Sequence, residues 1–482
     1  MNKIQYIFIA AFFISGLILT PNLMAQNCEQ SKIFPNEENL FGPFQGWGTS
    51  LAWWTNSYGN LTEEQRQTII RAFYDVDDGL GLTIVRYNIG GGDHPDHHHF
   101  YSQEAEAPGY LDEKGVWNFD ADRVQVQFLK EAIAQGAQTV EVFSNSPPWF
   151  MTVSGCTAGA ENPSDDNLRE DKIDAFADYL TEVVRYLESE NIQVDTLSPF
   201  NEPNTEFWKK GGGQEGCHYS AEMEIKVLQS VEKKLVEKNL TTQIAAFDDN
   251  TFEKAKDNIG RVAEISPETL KLIDQVNVHA YYTQNADDIA TFLNDLGKIP
   301  VMSELDVAHN IGENPPNQMG SALAFAEKIH DSFRILQPIS WSIFTVLPRE
   351  SSAGPAKDSG YYFLARYIRE ENRLEFFKKY YAFAQYTKFI RPGYIFIRTD
   401  SPRLLAAKEP ESGKIVLVLY NEENRDVSYQ IHLGQNQKKN QNVQVYRTSP
   451  TENLARLDDM QTAESLVSLT AAPYSVTTFI IE

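Results

Sequence analysis

Ser198-Pro199-Phe200-Asn201-Glu202-Pro203 and Val301-Met302-Ser303-Glu304-Leu305-Asp306 are the two stretches that decide the fold of this chain. Each is a short apolar run that ends in a glutamate, where a plain core strand would stop in turn residues. On either side of them, between about residues 42 and 388, short apolar segments alternate with longer amphipathic ones. Strands are expected at 45–51, 82–88, 138–143, 194–200, 243–247, 275–279, 299–303 and 339–344. Eight strands joined by helical crossovers are the count for a parallel sheet closed into a barrel. One intervening helix shows the pattern well: Ile173, Phe176, Ala177, Leu180, Val183, Val184 and Leu187 recur at helical spacing with Asp, Glu and Arg between them. The two glutamates then end the fourth and seventh strands.

The composition changes after Arg391-Pro392-Gly393. Segments 414–420, 428–433, 443–447 and 475–481 are short, mostly rich in Val and Ile, and separated by polar clusters. They read as antiparallel strands of a β-sandwich. Residues 31–40, ahead of the first barrel strand, are candidates to pair with it. The expected fold class is α/β: a (β/α)8 TIM barrel over 26–391 with an appended C-terminal antiparallel β-sandwich over 392–482. Residues 1–25 read as a secretory signal peptide, with Lys3, an apolar run from Ile7 to Thr20, Pro21, and Leu23-Met24-Ala25 at the cleavage region. The run is shorter than the roughly 20 apolar residues that span a bilayer. Cys28 invites a lipid anchor, but Gln26-Asn27 stand where small residues would be needed. A soluble exported protein is expected, in the periplasm, at the cell surface or outside the cell.

Lys and Arg number 42 against 67 Asp and Glu, a net charge of −25. Such a surface repels phosphate backbones and anionic lipid, so nucleic acid and membrane surfaces are poor partners, and neither nucleic-acid binding nor membrane insertion is expected. No obligatory protein partner is indicated. Three cysteines are too few for a disulfide scaffold and lack zinc spacing. Cys156 and Cys217 fall in loops on one rim of the barrel and are candidates for a disulfide in an oxidising compartment.

Active sites of such barrels lie at the C-terminal ends of the strands. Two glutamates there, on strands four and seven, face each other across the mouth. Glycoside hydrolysis needs such a pair: one carboxyl protonated to assist the leaving oxygen, the other ionised to attack the anomeric carbon. That chemistry requires no metal or cofactor. The segment Asp93-His94-Pro95-Asp96-His97-His98-His99 has the composition of a zinc site. It is a single loop without complementary ligands, and it reads as a substrate-lining loop. Gly211-Gly212-Gly213 reads as a flexible loop near the acid/base, since it does not open a helix after a strand.

Asn201-Glu202-Pro203 with Glu304 resembles the signature of the large clan of retaining hydrolases built on this barrel. Gly46-Trp47-Gly48-Thr49-Ser50-Leu51-Ala52-Trp53-Trp54, Val85-Arg86-Tyr87-Asn88-Ile89-Gly90-Gly91-Gly92 and Ser144-Asn145-Ser146-Pro147-Pro148-Trp149-Phe150-Met151 narrow it. The chain resembles glycoside hydrolase family 30, most closely its endo-β-1,6-galactanase branch, over essentially its mature length. The resemblance implies Glu202 as acid/base, Glu304 as nucleophile, and a β-linked galactose-containing polysaccharide as substrate. The alternatives within the family are β-1,6-glucanase, glucuronoxylanase, β-glucuronidase or glucosylceramidase activity; outside it stands a non-catalytic carbohydrate-binding protein. The other strand ends are assigned alongside. Asn201 is placed for the sugar 2-OH, Arg86 to hold Glu304 ionised, and His279 to orient its neighbours. Tyr281 stands where related hydrolases bond the nucleophile through an aromatic hydroxyl. Trp149 and Trp341 are expected in the floor or wall of the cleft. Trp53 and Trp54 are adjacent, so only one can face the mouth if the strand continues through them; Trp54 is assigned there.

Overall fold

The computed structural model describes residues 28–94, 105–281, 286–307, 318–349, 362–433, 440–463 and 465–482. Residues 1–25, expected to be a signal peptide, and residues 95–99 of the histidine-rich loop lie outside them. After β1 (Cys28–Glu38), eight parallel strands close a barrel: β2 (Gly46–Ser50), β3 (Ile84–Ile89), β4 (Thr139–Ser144), β5 (Thr196–Ser198), β6 (Gln243–Asp249), β7 (Gln275–His279), β8 (Ile299–Leu305) and β9 (Ser340–Thr345). The α-helices among the described residues are α1 (Trp54–Ser57), α2 (Glu63–Tyr74), α3 (Arg123–Gln135), α4 (Ile173–Ser189), α5 (Ala221–Lys238), α6 (Phe252–Ile265), α7 (Pro267–Leu270), α8 (Ile289–Asp295), α9 (Met319–Ile335) and α10 (Lys378–Thr387).

Local chemistry explains where these helices start and which face they bury. Thr62 and Gln65 form a reciprocal capping box at the start of α2, and Ser220 accepts from the Met223 amide at the start of α5. Asn239 ends α5 in the left-handed conformation that asparagine tolerates. The apolar stripe of α4 is buried from Ile173 to Leu187. Each such side chain contributes about 1.5–3 kcal/mol when fully removed from water. The strands are buried on both faces, as expected where helices cover a parallel sheet. Their register sets two neighbours that matter at the mouth: Arg86 lies beside Glu141, and His279 beside Glu304.

After the hairpin β10 (Ala365–Ile368) and β11 (Arg373–Phe376), the C-terminal strands are β12 (Ile395–Thr399), β13 (Leu404–Lys408), β14 (Ile415–Asn421), β15 (Val427–His432), β16 (Asn442–Thr448), β17 (Ala455–Gln461), β18 (Leu466–Ala471) and β19 (Ser475–Ile481). They form two mostly antiparallel layers that share β1. Residues 28–32 of β1 pair in parallel with β15, while Ile33, Phe34 and Glu38 pair with β12 in the other layer. Ile33, Leu417, Tyr429, Val445, Leu469 and Phe479 belong to one buried cluster between the layers. Among the described residues, no helix is long and apolar enough to cross a membrane.

Candidate active site

Glu202 and Glu304 meet at the barrel mouth. Glu304 is the sixth residue of β8, and Glu202 follows β5 in a left-handed turn with φ 50°. A strained backbone of this kind persists where surrounding contacts fix it. Here the Glu202 amide donates to the Asp248 carbonyl (2.8 Å), and the Glu202 carbonyl accepts from the Trp208 indole (2.9 Å). Carboxylate oxygens of the two glutamates and a ring nitrogen of His279 all lie within 4.8 Å of one another.

Arg86 donates to Glu304 Oε2 through Nη1 (3.1 Å) and to Asp248 Oδ1 through Nη2 (2.8 Å). Tyr281 donates its hydroxyl to Glu304 Oε1 (3.2 Å). His279 bridges the halves of the site, with Nδ1 3.1 Å from Glu202 Oε1 and Nε2 3.2 Å from Asp248 Oδ1. Burial would strip His279 of its proton, but Glu304, Asp248 and Glu202 outweigh it and push its pKa up to about 10. The ring is therefore a cation at neutral pH, donating from both nitrogens. Burial also pushes Glu304 upward, against the pull of His279 and Arg86. For Asp248, burial is outweighed by Arg86 and His279, which hold it well below the usual carboxylate range. The Tyr281 phenol, raised by burial and by the Glu304 charge, keeps its proton.

The hub of this network is Asp248, which the residue patterns above did not single out. It also accepts from Ser303 Oγ (2.6 Å) and Asn277 Nδ2 (3.2 Å), and like Glu202 it sits at positive φ, 57°. Its signal was the polar ending Asp248-Asp249-Asn250 after the apolar part of β6, the same kind of ending that marked the two glutamates. Glu141 lies below, 3.6 Å from Arg86 Nε, and burial raises its carboxyl to about 7. Three donors within 4.8 Å could in principle hold a metal ion. Arg86 and the His279 cation already bring positive charge to both glutamates, so this donor set fits a further cation poorly.

The cleft above the glutamates encloses about 340 Å³. Asn201 lines it, with its buried Oδ1 unpartnered among the described residues. Trp53 and Phe344 form one wall, ring centroids 5.0 Å apart, while Phe207 and Trp208 stand on the loop that follows Glu202. Three expectations are corrected here. Trp54 does not face the mouth: the chain turns at Trp53 (φ 69°), and Trp54 packs on Phe128 with its indole bonded to the Ser50 carbonyl. Trp341 is wholly buried on the outer face of β9, against Phe325 and Phe383 of the helices. Alternation along the strand gives the mouth to Phe344 instead. No disulfide joins Cys156 and Cys217: Cys217 packs in the main core and Cys156 in a separate small cluster with Ala158. Trp149 borders a second cavity of about 520 Å³ with Asp93 and Tyr110, and His94 packs on its ring at 4.3 Å.

The family model for O-glycosyl hydrolase family 30 matches residues 35–286. An endo-β-1,6-galactanase of Hypocrea rufa is 26% identical over 409 residues, covering 79% of each chain. An exo-β-1,6-galactobiohydrolase of Bifidobacterium longum subsp. longum is 28% identical over 403 residues; the match takes in 63% of this chain and 26% of that longer protein. Among solved structures, the catalytic domain of a family 30 xylanase C from Talaromyces cellulolyticus superposes with a TM-score of 0.71 at 16% identity, covering 94% of this chain and 100% of the other. That last likeness is one of fold. With a barrel of this topology, two glutamates at its mouth and a family model spanning more than half its length, the chain belongs to O-glycosyl hydrolase family 30.

Proposed function

We propose that this family 30 glycoside hydrolase is an exported endo-β-1,6-galactanase that retains anomeric configuration, with Glu304 as nucleophile and Glu202 as acid/base. The observation that carries the mechanism is the approach of the two carboxylates to within 4.8 Å. Retaining enzymes hold their carboxyl groups about 5–5.5 Å apart, while inverting ones leave room for a water between carboxyls about 6.5–9.5 Å apart.

In the first step Glu304 attacks the anomeric carbon as the glycosidic bond breaks, and Glu202 passes its proton to the departing oxygen. Arg86 and Tyr281, one on each oxygen of Glu304, keep its attacking lone pair ionised and aimed. In the second step Glu202 takes a proton from water, the hydroxide attacks the same carbon, and the bond to Glu304 breaks. His279, with Nδ1 3.1 Å from Glu202 Oε1, orients that carboxyl through both steps. Asn201, which lines the cleft and whose buried Oδ1 has no partner among the described residues, is assigned to the sugar 2-OH.

The substrate reading is supported by two relatives named for β-1,6-galactosyl linkages. A panel of β-1,6-galactan, β-1,6-glucan and glucuronoxylan tests it. Short galactose oligomers should appear early from galactan alone. Cleavage of another polymer in preference, or release of monosaccharide alone, would overturn it. Glu202→Gln and Glu304→Gln should each reduce turnover of the polymer by at least about a thousandfold, roughly 4 kcal/mol of barrier. Near-wild-type turnover in either variant would remove that residue from its role.

A further inference from the structure

Phe207 is an exposed aromatic ring inside the mouth of the barrel. It is 56% exposed, it lines the catalytic cleft, and it stands five residues after Glu202 on the same loop. The loop that presents it is tightly fixed. The Glu202 carbonyl accepts from the Trp208 indole, and from the Thr205 amide (3.3 Å) and hydroxyl (3.2 Å). Trp208 itself is buried and fits only because its neighbours are glycines: a Cβ on Gly216 would meet its ring at 2.1 Å, and one on Gly159 its backbone at 2.1 Å. The Phe207 ring stands edge-on to Trp208, with centroids 6.1 Å apart and an interplanar angle of 88°. A firmly mounted phenyl ring is thereby left more than half exposed among the described residues.

We propose that Phe207 is the stacking platform for the leaving-group sugar, and so selects what stands on the departing side of the scissile bond. This inference rests on the roles given above to Glu202 and Glu304. The acid/base must reach the departing oxygen, so the departing sugar lies on the Glu202 side of the cleft. Glu202 follows β5, and the other aromatic wall comes from β2 and β9, on the far side of the barrel. The sugar that stays attached therefore sits over Glu304 toward Trp53 and Phe344, and the sugar that leaves sits toward Phe207. A 1,6-linkage joins the departing ring through an exocyclic CH2 with an extra rotatable bond. The linkage itself does not orient that ring, so a flat apolar surface is needed to hold it.

The test compares two substrates across Phe207→Ala and Phe207→Trp in the full-length protein: β-1,6-galactan, and a β-galactobiosyl fluoride whose leaving fluoride is too small to touch the ring. Phe207→Ala should lower kcat/KM for galactan at least tenfold more than for the fluoride, and Phe207→Trp should restore most of the loss. Transfer of the glycosyl group to an added galactose acceptor should fall in parallel in the alanine variant. An equal loss on both substrates would mean that Phe207 only supports the Glu202 loop, and no loss on galactan would mean that it touches no sugar; either overturns the proposal. A wild-type enzyme that does not turn over the fluoride would instead sink the galactosyl reading itself, and this proposal with it.

Discussion

Asp248 accepts four side-chain donors on two oxygens while fully buried, and it sets the charge of the residues around it. Asp248→Asn should lower kcat/KM at least about tenfold, since 1.36 kcal/mol of barrier is a factor of ten. The same variant should move the alkaline limit of stability to lower pH. The sign follows from His279, whose pKa rises from 6.5 to about 10 on folding. A raised pKa gives stability that is complete below about pH 6.5 and is lost as pH climbs through about 10. Without the Asp248 charge that window closes earlier, which thermal melts across pH 6 to 10 would read directly. On the acid side, burial raises Glu304. With Glu304 as the proposed nucleophile, the acid limb of kcat/KM should therefore fall above the ordinary glutamate range, and a limb at or below it would contradict that role. At this scale the sequence exposed the glutamates, His279 and Tyr281, because each stands near or just past the end of an apolar strand, and Arg86 as a lone charge inside one. It could not rank Trp53 over Trp54 or Phe344 over Trp341. Which of two neighbours faces the mouth depends on a single turn of positive φ and on strand parity, and neither is written in residue type.

Between strand and helix, a second buried charge pair secures the strand that carries Glu304. Lys379 of α10 bonds Asp306, two residues after Glu304, at 2.6 Å, and also donates to the carbonyls of Val307 and Tyr362. Burial raises Asp306 to about 7 and lowers Lys379, and their pairing opposes both shifts. Lys379→Met alone should destabilise the protein by about 3–5 kcal/mol because it strands a buried carboxylate. Adding Asp306→Leu should recover most of that loss in urea unfolding, and additive losses would show that the pair is not coupled. The barrel elements were legible because period and length separate them: expected and observed strands differ by a few residues at their ends. The C-terminal layers were harder. Four strands found there were not expected: β12, β13, β17 and β18. β17 is the polar edge segment Ala-Arg-Leu-Asp-Asp-Met-Gln, exposed along much of its length, so no apolar alternation announces it. The hairpin β10–β11 is likewise short and charged.

Across the whole molecule, barrel and C-terminal layers share walls. α9 and α10 lie between them: Thr478 donates to the Gln385 carbonyl (2.7 Å), Thr448 to that of Tyr381 (3.1 Å), and His330 meets Tyr386 (3.0 Å) under the sheet. Strand β1 adds the N-terminal segment to both layers. A chain ending at residue 391 should consequently expose the sheet-facing side of α10 and fail to give a soluble, folded barrel. Recovery of a truncated protein with unchanged activity and melting temperature would show that the C-terminal layers are dispensable. The charge balance, read from composition alone, argues against nucleic acid as a partner but says nothing about which sugar is bound. That choice depends on cleft walls contributed by β2, β5 and β9 together. The central claim, attack by Glu304 with proton delivery from Glu202, predicts two inversions at one carbon. Proton NMR of the first product formed from a β-1,6-galacto-oligosaccharide, recorded before mutarotation, should show the β-anomer. The α-anomer appearing first would contradict it.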